Sequence, residues 1–323
     1  MKILITGGSG FIGTHLVKKL MDNGEYAPII FDKTLSTTFP DITVVGDVRD
    51  KNQLEQALNS VDLVIHLAAE HKDNVTPKTL YHDVNVGGTQ NLIEACEKNN
   101  VNRIIFTSSV AVYGLDVNES HEESPLNPFN EYGQSKLQAE QIFLEWYKSQ
   151  PYRSLTVIRP TVVFGEENRG NVHNLMRQVA ENKFIMVGKG QNKKSMAYVG
   201  NLVNFIVSIL EKNGLTVVNY ADKPDLSTAE LISLIDKILN RESNRFSIPY
   251  WLGICAGYFF DLCAKMLGKE FSISSVRIRK FCSNSTINTT VMSKLQNDDL
   301  IPLPEAIERT VRYEFIHKTR TQS

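Results

Sequence analysis

Short apolar runs alternate with amphipathic segments along the first half of the chain. The runs are rich in Ile and Val, as buried strands usually are. They are KILIT (2–6), APIIFD (27–32), ITVVGD (42–47), DLVIHLAA (62–69), NRIIFTSS (102–109) and LTVIRP (155–160). The segments between them space their apolar residues as helices do, and the first of these ends at Gly24, a typical helix C-cap. Strand–helix alternation of this kind predicts an α/β fold with a doubly wound parallel sheet.

The regular alternation loosens after about residue 165 into helices, short strands and loops. We therefore predict two parts, a first domain over residues 1–165 and a smaller C-terminal lobe over residues 166–323. A chain of 323 residues is long enough for this arrangement.

Composition and charge narrow the class of protein. The 35 basic and 36 acidic side chains give a formal charge of −1, so no nucleic-acid partner is expected. The spacing of His and Cys residues matches no metal motif, and no metal site is predicted. Four cysteines without a CxxC pair indicate free thiols in a reducing cytoplasm. No apolar run approaches the roughly 20 residues that span a bilayer, and the first residues are strand-like rather than a secretion signal.

A glycine-rich turn, TGGSGFIG (6–13), follows the first strand and opens the first helix. Gly7, Gly10 and Gly13 permit a tight turn, a close approach of backbone to a pyrophosphate, and close helix–strand packing. Phe11 and Ile12 begin the helix, whose free N–H groups and positive dipole end favour phosphate. The turn therefore predicts a Rossmann-like dinucleotide site.

The residue that ends the second strand predicts which dinucleotide binds. Asp32 lies 19 residues after Gly13, where a carboxylate can accept hydrogen bonds from ribose hydroxyls. Asp32 would repel a 2′-phosphate, which favours NAD over NADP. Lys33 beside it weakens that preference.

Tyr132 and Lys136, in YGQSK, share one face of a predicted helix. Tyrosine has a pKa near 10 and is a poor base at neutral pH, but a neighbouring ammonium favours the phenolate. The preceding stretch FTSSVAVYG (106–114) brings hydroxyl groups to the carboxyl end of a strand, where such sheets bind ligands. We therefore expect Tyr132 to act as a base in an enzyme.

Six motifs occur in order: TGGSGFIG, GDVRD, HLAA, TSSVAVYG, YGQSK and RPTVVFG. Together they resemble the extended short-chain dehydrogenase/reductase family, in its sugar epimerase/dehydratase branch. The resemblance implies that Ser109, Tyr132 and Lys136 form a catalytic triad, with Tyr132 and Lys136 also touching NAD. It further implies three sets of cofactor contacts: around the adenine, along the cofactor path and near the nicotinamide. These are Asp47 and Val48, then Leu67, Ala68 and Ala69, then Thr107 and Pro160.

The residues after the triad serine bear on the reaction. Dehydratases of this branch carry an Asp–Glu pair there, and this chain has Val110 and Ala111, which cannot move a proton. The resemblance therefore implies epimerisation at C4 of a sugar, through a 4-keto intermediate and without net redox. A one-way NADPH-dependent reductase and a non-catalytic NAD(P)-binding sensor are the alternatives; Asp32 argues against the first and the intact triad against the second.

Two departures from the branch bear on the substrate. Nucleotide-sugar epimerases carry Asn and Arg where this chain has Val162 and Lys194, which weakens the case for a UDP group. Stretches such as KKSMAYVGN and SSVRIRKFC resemble family members whose amino sugar is carried on a lipid diphosphate, in O-antigen assembly. A lipid-linked amino sugar is thus expected, with a UDP-linked one as the alternative. Lys194 would hold phosphate, while Glu70 and His71 either touch the sugar or are structural.

The uncharged stretch SIPYWLGICAGYFF (247–260) has three interpretations. It is a membrane contact (with flanking residues, 247–268), a buried helix of the lobe, or a contact in a homodimer. Its aromatic residues suit the headgroup level of a bilayer, and five basic residues follow, namely Lys265, Lys269, Arg277, Arg279 and Lys280. Pro249, Gly253 and Gly257 argue against a regular helix. With a lipid-linked substrate, the first interpretation places the protein at the inner face of a bacterial cell membrane.

Overall fold

The computed structural model describes residues 1–72, 75–242, 246–267, 274–296 and 300–317. Its strands, in chain order, are β1 (Lys2–Thr6), β2 (Ala27–Asp32), β3 (Thr43–Val45), β4 (Leu63–His66), β5 (Arg103–Thr107), β6 (Val117–Ser120), β7 (Ser154–Pro160), β8 (Val162–Phe164), β9 (Met186–Val187), β10 (Lys193–Tyr198), β11 (Leu215–Tyr220), β12 (Asp222–Ser227), β13 (Ser247–Ile248) and β14 (Ser285–Ile287).

The α-helices are α1 (Phe11–Asn23), α2 (Lys51–Ala57), α3 (Thr79–His82), α4 (Gly88–Lys98), α5 (Glu131–Lys148), α6 (Asn171–Ala180), α7 (Val199–Ser208), α8 (Thr228–Ile238), α9 (Tyr250–Leu267), α10 (Ser275–Cys282), α11 (Thr290–Leu295) and α12 (Leu303–Arg312). A π-helical turn, Asp83–Gly87, joins α3 to α4, and a second, Tyr313–His317, follows α12.

Seven parallel strands form the main sheet, in the order β3-β2-β1-β4-β5-β7-β11. The chain runs outward from β1 in one direction and from β4 in the other, so the switch in strand order lies between β1 and β4. Ligands of doubly wound sheets bind at the carboxyl ends of the strands beside such a switch. The predicted Rossmann-like fold is confirmed.

Both faces of this sheet are covered. Ile3 and Ile5 of β1 point into a core shared with α1 and α7, whereas Leu4 points into a core with α2, α4 and α5. This alternation follows from the two-residue period of a strand. All of β4 and β7 is buried, as expected of parallel strands between two helical layers.

The seventh strand of the sheet, β11, comes from beyond residue 165. It pairs with β7 over six residues, from Leu215 with Leu155 to Tyr220 with Pro160. Helix α7 also packs on α1, from the segment assigned to the lobe. The domain boundary at residue 165 stays a prediction. The main sheet contains strands from both sides of that residue.

A smaller sheet holds β12, β10, β14 and β6 in that order, with β8 paired to β10. Near it, β9 and β13 form a two-stranded sheet that leads into α9 and α10. Gly253 and Gly257 lie inside an unbroken helix of 18 residues, so the expectation that they oppose a regular helix is wrong. They are its buried residues: a Cβ on Gly257 would lie 2.7 Å from the Cα of Ser275. Close packing, rather than a break, accounts for these glycines.

No helix in the part of the chain described by the structure has both the length and the apolar character to cross a bilayer.

Candidate active site

The glycine turn forms a cradle between β1 and α1. Gly7 has φ of +71°, and a Cβ there would lie 2.6 Å from the amide nitrogen of Ala68. A Cβ on Gly13 would lie 2.5 Å from the Cα of Gly8. Gly10 is the N-cap of α1 and makes no side-chain cap, so the first amides of that helix are left for another acceptor. The cradle therefore fits the pyrophosphate of a dinucleotide.

Asp32 lies beside this cradle at the end of β2. Its carboxylate accepts hydrogen bonds from the amides of Ser9, at 3.1 Å, and Thr34, at 3.0 Å. These bonds hold the carboxylate next to the turn, where a ribose would follow the pyrophosphate. Lys33 is exposed next to it.

The predicted adenine contacts lie after β3. Asp47 accepts a bidentate pair of hydrogen bonds from Arg49, which hold the pKa of that carboxyl below its usual range against the opposing effect of burial. The charge of Lys33 lowers the pKa of Asp47 further. Val48 packs on Gly88 of α4, where a Cβ would approach its Cγ2 to 2.7 Å.

The remaining predicted cofactor contacts lie at the carboxyl ends of strands. The amide of Ala68 donates to Thr6 Oγ1 at 3.3 Å, and Thr107 Oγ1 donates to the carbonyl of His66 at 3.1 Å. These bonds fix the ends of β1, β4 and β5 against one another. The residues concerned are Leu67, Ala68 and Ala69 after β4, Thr107 at the end of β5 and Pro160 at the end of β7.

The structure brings Ser109 and Tyr132 together. Ser109 caps a short 3₁₀ turn, Val110–Val112, and its Oγ accepts from the amide of Ala111 at 3.1 Å. Tyr132, in the first turn of α5, lies close enough to Ser109 for the two hydroxyl groups to interact. Burial raises the pKa of Tyr132, and the nearby hydroxyl group of Ser109 opposes that shift. A cation is therefore needed before the phenol can act as a base at neutral pH.

Lys136 is the predicted source of that cation and lies one helical turn after Tyr132 in α5. Its side chain is 2% exposed, and Nζ lies 4.4 Å from the ring centroid of Phe106. Burial lowers the pKa of Lys136 to about 7, and the carboxylate of Glu140 opposes the shift. The ammonium form of Lys136 therefore predominates below pH 7. Its stabilisation of charge on Tyr132 and its contacts with ribose hydroxyl groups stay predictions.

A buried ion pair lies behind Lys136. Arg159 donates two hydrogen bonds to Glu140, at 3.0 and 2.7 Å, and both side chains are almost fully buried. Arg159 also donates to Tyr113 Oη at 2.8 Å. Burial lowers the pKa of Arg159, but the hydrogen bonds and charge of Glu140 outweigh it and raise that pKa. The pair ties α5, which carries Tyr132 and Lys136, to β7.

His66 is a structural residue. Its Nδ1 shares a hydrogen bond of 2.7 Å with Thr6 Oγ1, and its ring stacks on Phe106 at 5.6 Å. Burial, with the charge of Lys136, lowers the pKa of His66 to about 3, so the ring is neutral at physiological pH. It cannot serve as a cationic partner to the triad.

Asn85 is a site residue that the sequence analysis missed. It lies in the π-helical turn 83–87, and its side-chain amide donates to the carbonyl of Glu70 at 3.0 Å and to Ser135 Oγ at 2.9 Å. Ser135 Oγ in turn donates to the carbonyl of Tyr132 at 2.8 Å. Asn85 thus links the loop after β4 to the helix of the triad. The sequence analysis assigned no role to Asn85, because none of its six motifs includes this residue.

The predicted substrate residues lie in two separate parts of the chain: Glu70 and His71 follow β4, whereas Lys194 is on β10. Glu70 is buried, and its carboxylate accepts from the amides of His71 and Lys72, whereas His71 is exposed. Lys194, on β10, donates two 3.0 Å hydrogen bonds to the carbonyls of Lys280 and Ser283 at the end of α10. Burial lowers the pKa of Lys194 to about 8, and the charge of Lys280 adds to this. Their contacts with substrate stay predictions.

The family model described as the NAD dependent epimerase/dehydratase family matches residues 3–220. The chain belongs to this family. The family is NAD-dependent, and the prediction of NAD as cofactor is confirmed; the cradle and Asp32 fit it. Among the described side chains, no group of three or more His, Cys, Asp or Glu residues could hold a metal ion.

Two curated relatives narrow the similarity within the epimerase family. The chain is 48% identical over 318 residues to the N-acetyl-α-D-glucosaminyl-diphospho-ditrans,octacis-undecaprenol 4-epimerase of Escherichia coli O157:H7, covering 98% of this chain and 96% of the relative. It is 30% identical over 292 residues to a UDP-glucose 4-epimerase of Vibrio cholerae, covering 85% and 83%.

Among solved structures, the UDP-glucose 4-epimerase of Thermotoga maritima has a TM-score of 0.79 at 22% identity and covers both chains completely. The UDP-N-acetylglucosamine 4-epimerase of Bacillus cereus has a TM-score of 0.77 at 21% identity, covering 96% of this chain and 98% of that chain. At these identities the likeness concerns the fold.

Proposed function

We propose that this protein is an isomerase that interconverts N-acetylglucosamine and N-acetylgalactosamine at C4 while the sugar is carried on diphospho-undecaprenol. The observation that carries the reaction is the proximity of Ser109 to the buried Tyr132, which shares helix α5 with the buried Lys136. The 48% identity to the Escherichia coli O157:H7 4-epimerase over nearly the whole chain supports the substrate. The product would enter surface polysaccharide synthesis, such as O-antigen.

Each member of the triad has a defined task in this mechanism. Tyr132 Oη takes the proton from the 4-hydroxyl group, and Ser109 orients or relays it. Lys136, as an ammonium, stabilises charge on Tyr132 and holds ribose hydroxyls of the cofactor. When bound, NAD would accept the hydride from C4 and NADH would donate it back. The 4-keto sugar turns over within the pocket, and Tyr132 returns the proton, so no net redox occurs.

The turn after Ser109 favours epimerisation over dehydration. Val110 and Ala111 occupy its first two positions, and neither side chain can donate or accept a proton. Elimination of water needs an acid and a base near the sugar. The mechanism therefore stops at hydride and proton transfer.

Two residues favour a lipid-linked over a UDP-linked sugar. Val162 is 38% exposed and presents an apolar side chain where nucleotide-sugar epimerases carry Asn. Lys194 already donates to two carbonyl oxygens, and its point charge lacks the bidentate fork of Arg. UDP-N-acetylglucosamine is the alternative substrate.

The decisive experiment gives purified protein the same amino sugar on undecaprenyl diphosphate and on UDP. We expect C4 epimerisation of the lipid-linked sugar at the higher kcat/KM, without accumulation of NADH. Preference for the UDP-linked sugar would select the alternative. Steady NADH production would indicate a dehydrogenase, and NAD binding without turnover of either sugar would indicate the sensor.

We further propose that the protein works at the inner face of the cell membrane, because its substrate would be embedded there. Cell fractionation should place a share of it with membranes. The homodimer also stays a prediction, and light scattering of the purified protein measures it directly. Residues 166–323, together with the sheet strand they contribute, would bind the substrate.

A further inference from the structure

Helix α9 presents an apolar face to solvent. Trp251 is 65% exposed, Phe259 62% and Met266 76%. Tyr258 and Leu262 lie on the same face, because residues 251, 255, 258, 262 and 266 follow the helical period. Phe246, just before the helix, is also exposed. The buried-helix interpretation of 247–260 is therefore wrong for a single chain.

The opposite face of α9 is fixed to the lobe. A Cβ on Gly253 would meet Val187 Cγ1 at 2.7 Å, and one on Gly257 would meet the backbone of Ser275 in α10. Asp261, the acidic residue of α9, accepts a hydrogen bond from the amide of Ser275 at 3.2 Å. The two glycines thus hold the helix close to the protein, and the large side chains are left outside.

Helices α9 and α10 together carry an excess of basic side chains. Helices α9 and α10 carry four basic residues, Lys265, Arg277, Arg279 and Lys280, against Asp261 alone. The guanidinium of Arg279 hydrogen-bonds Tyr258 Oη and lies 5.6 Å from the centroid of that ring. Lys269, which the sequence analysis also named, lies outside the described residues. The chain as a whole has a charge of −1, so this surface differs in sign from the rest.

We propose that the exposed face of α9, with the basic residues of α10, docks on the surface of an anionic lipid leaflet. Aromatic rings suit the headgroup level, apolar side chains suit the layer below it, and cations suit the lipid phosphates. A second copy of the chain fits less well, because like charges would meet across the interface. The proposal rests on the proposed function for its biological context, since a lipid-linked sugar lies in that leaflet.

The surface is connected to the predicted diphosphate-binding residue. Helix α10 packs on α9 along its length, and its C-terminal end supplies the carbonyls of Lys280 and Ser283 that bind Lys194. Cys282 Sγ donates to the carbonyl of Val187, beside Gly253. A docked α9 would therefore place Lys194 near the leaflet, where the diphosphate of a lipid-linked sugar lies.

Vesicle co-sedimentation of the full-length protein tests the proposal. Vesicles of phosphatidylglycerol and phosphatidylethanolamine are compared with neutral phosphatidylcholine vesicles. The apolar variant is Trp251→Ser with Phe259→Ser, and the charge variant is Arg279→Gln, because Arg279 is exposed and lies against Tyr258. The matched control is Met21→Ser with Tyr152→Ser, because these side chains are 47% and 63% exposed but lie outside α9 and α10, in α1 and in the turn before β7. Thermal unfolding of every variant shows whether it is folded.

We expect the wild-type protein to bind anionic vesicles more tightly than neutral ones. The apolar variant should bind about tenfold more weakly or worse, because two large side chains no longer leave water. The charge variant should lose affinity for anionic vesicles alone, and the control should bind as the wild type does. Wild-type protein that never sediments with vesicles, or an apolar variant that binds normally, would overturn the proposal. A change from dimer to monomer in that variant, without an effect on sedimentation, would assign the face to a second copy.

An activity measurement separates this proposal from the proposed function. The same amino sugar is supplied on a vesicle-embedded lipid diphosphate and on a water-soluble short-chain prenyl diphosphate. The apolar variant should lose turnover of the embedded substrate by about tenfold or more and keep turnover of the soluble one. If no protein, wild type included, turns over either substrate, the proposed function fails, while vesicle binding still decides docking.

Discussion

The central parallel sheet and helix α9 are both strongly apolar, yet they place their apolar side chains in opposite surroundings. Strands β4 and β7 are buried along their whole length between two helical layers. Helix α9 buries Gly253 and Gly257 and leaves Trp251 and Phe259 in water. In the sheet, apolar side chains form the core of the fold. In α9 they remain exposed and available for contact with another surface. The hydrophobicity of the sequence alone did not distinguish these two roles.

The largest effect on activity should come from the sheet side, at Tyr132. Tyr132→Phe removes the phenolic oxygen that the mechanism needs, and turnover should fall by about 10²-fold or more. NAD binding and thermal stability should stay close to those of the wild type, since the ring remains. Steady-state assays with a cofactor-binding titration measure both. Near-normal turnover would mean that another group is the base.

The buried pair Arg159–Glu140 tests how strongly the sheet depends on internal charge. Arg159→Met leaves the carboxylate of Glu140 buried without its partner, and the free energy of unfolding should fall by about 3–5 kcal/mol. Arg312→Met breaks the exposed pair with Glu308 and should cost about 0–1 kcal/mol. Urea denaturation compares them.

A second variant keeps this test informative. Arg159→Met combined with Glu140→Leu removes both charges and should recover most of the lost stability. A double variant as unstable as the single one would show that packing around Arg159, rather than its charge, is what matters.

Much of the sheet side was predictable from local sequence, because buried strands and a glycine turn leave short-range patterns. The six predicted strands match the observed ones within a few residues at their ends. Strand β11 was missed although LTVVNY has the same character, because its place beside β7 depends on pairing between residues about 60 apart. The Arg159–Glu140 and Asn85–Ser135 contacts were missed for the same reason: each joins elements that only the tertiary fold brings together.

Helix α9 was harder to predict because glycine has two opposite meanings in a helix. It lowers intrinsic helix stability, and it also allows close packing. The spacing of Gly253 and Gly257, four residues apart, could have indicated one packed face. The exposure of the other face is a property of the folded chain and could not be taken from the run of apolar letters.

The charge state of Lys136 should change stability by a smaller amount. Burial lowers its pKa to about 7 from 10.5, so between pH 7 and 10.5 the unfolded chain binds one more proton than the folded one. The free energy of unfolding therefore rises with pH across that window. Below pH 7 the buried ammonium group destabilises the folded protein by its full amount. Compared with Lys136→Met, the cofactor-free wild type should gain of the order of 2 kcal/mol between pH 6 and pH 9. Denaturation midpoints at both pH values measure it, and parallel changes in the two proteins would contradict it.

The smallest effects concern the packed face of α9. Gly257→Ala places a methyl group against the backbone of Ser275 and should destabilise the protein by about 1–2 kcal/mol. Gly253→Ala meets the end of the Val187 side chain, which can move, so the gain in helix propensity should make it nearly neutral. Hydrogen exchange of α9 amides and urea midpoints check both. Equal effects would mean that α9 does not depend on the close approach at Gly257.

Strand β11 also limits how this protein can be divided. A fragment that stops at residue 165 would end shortly after β7, whose six paired residues would lose their neighbour and leave an open row of backbone donors and acceptors. Exposed, apolar sheet edges of this length recruit other chains and promote aggregation. The first domain therefore cannot be separated by one cut. After β7 the chain builds part of the lobe, and it then returns to add β11, the last strand of the sheet. Swapping lobes between relatives while keeping β11 would require a junction on each side of β11 as well as the one near residue 165, rather than a single cut.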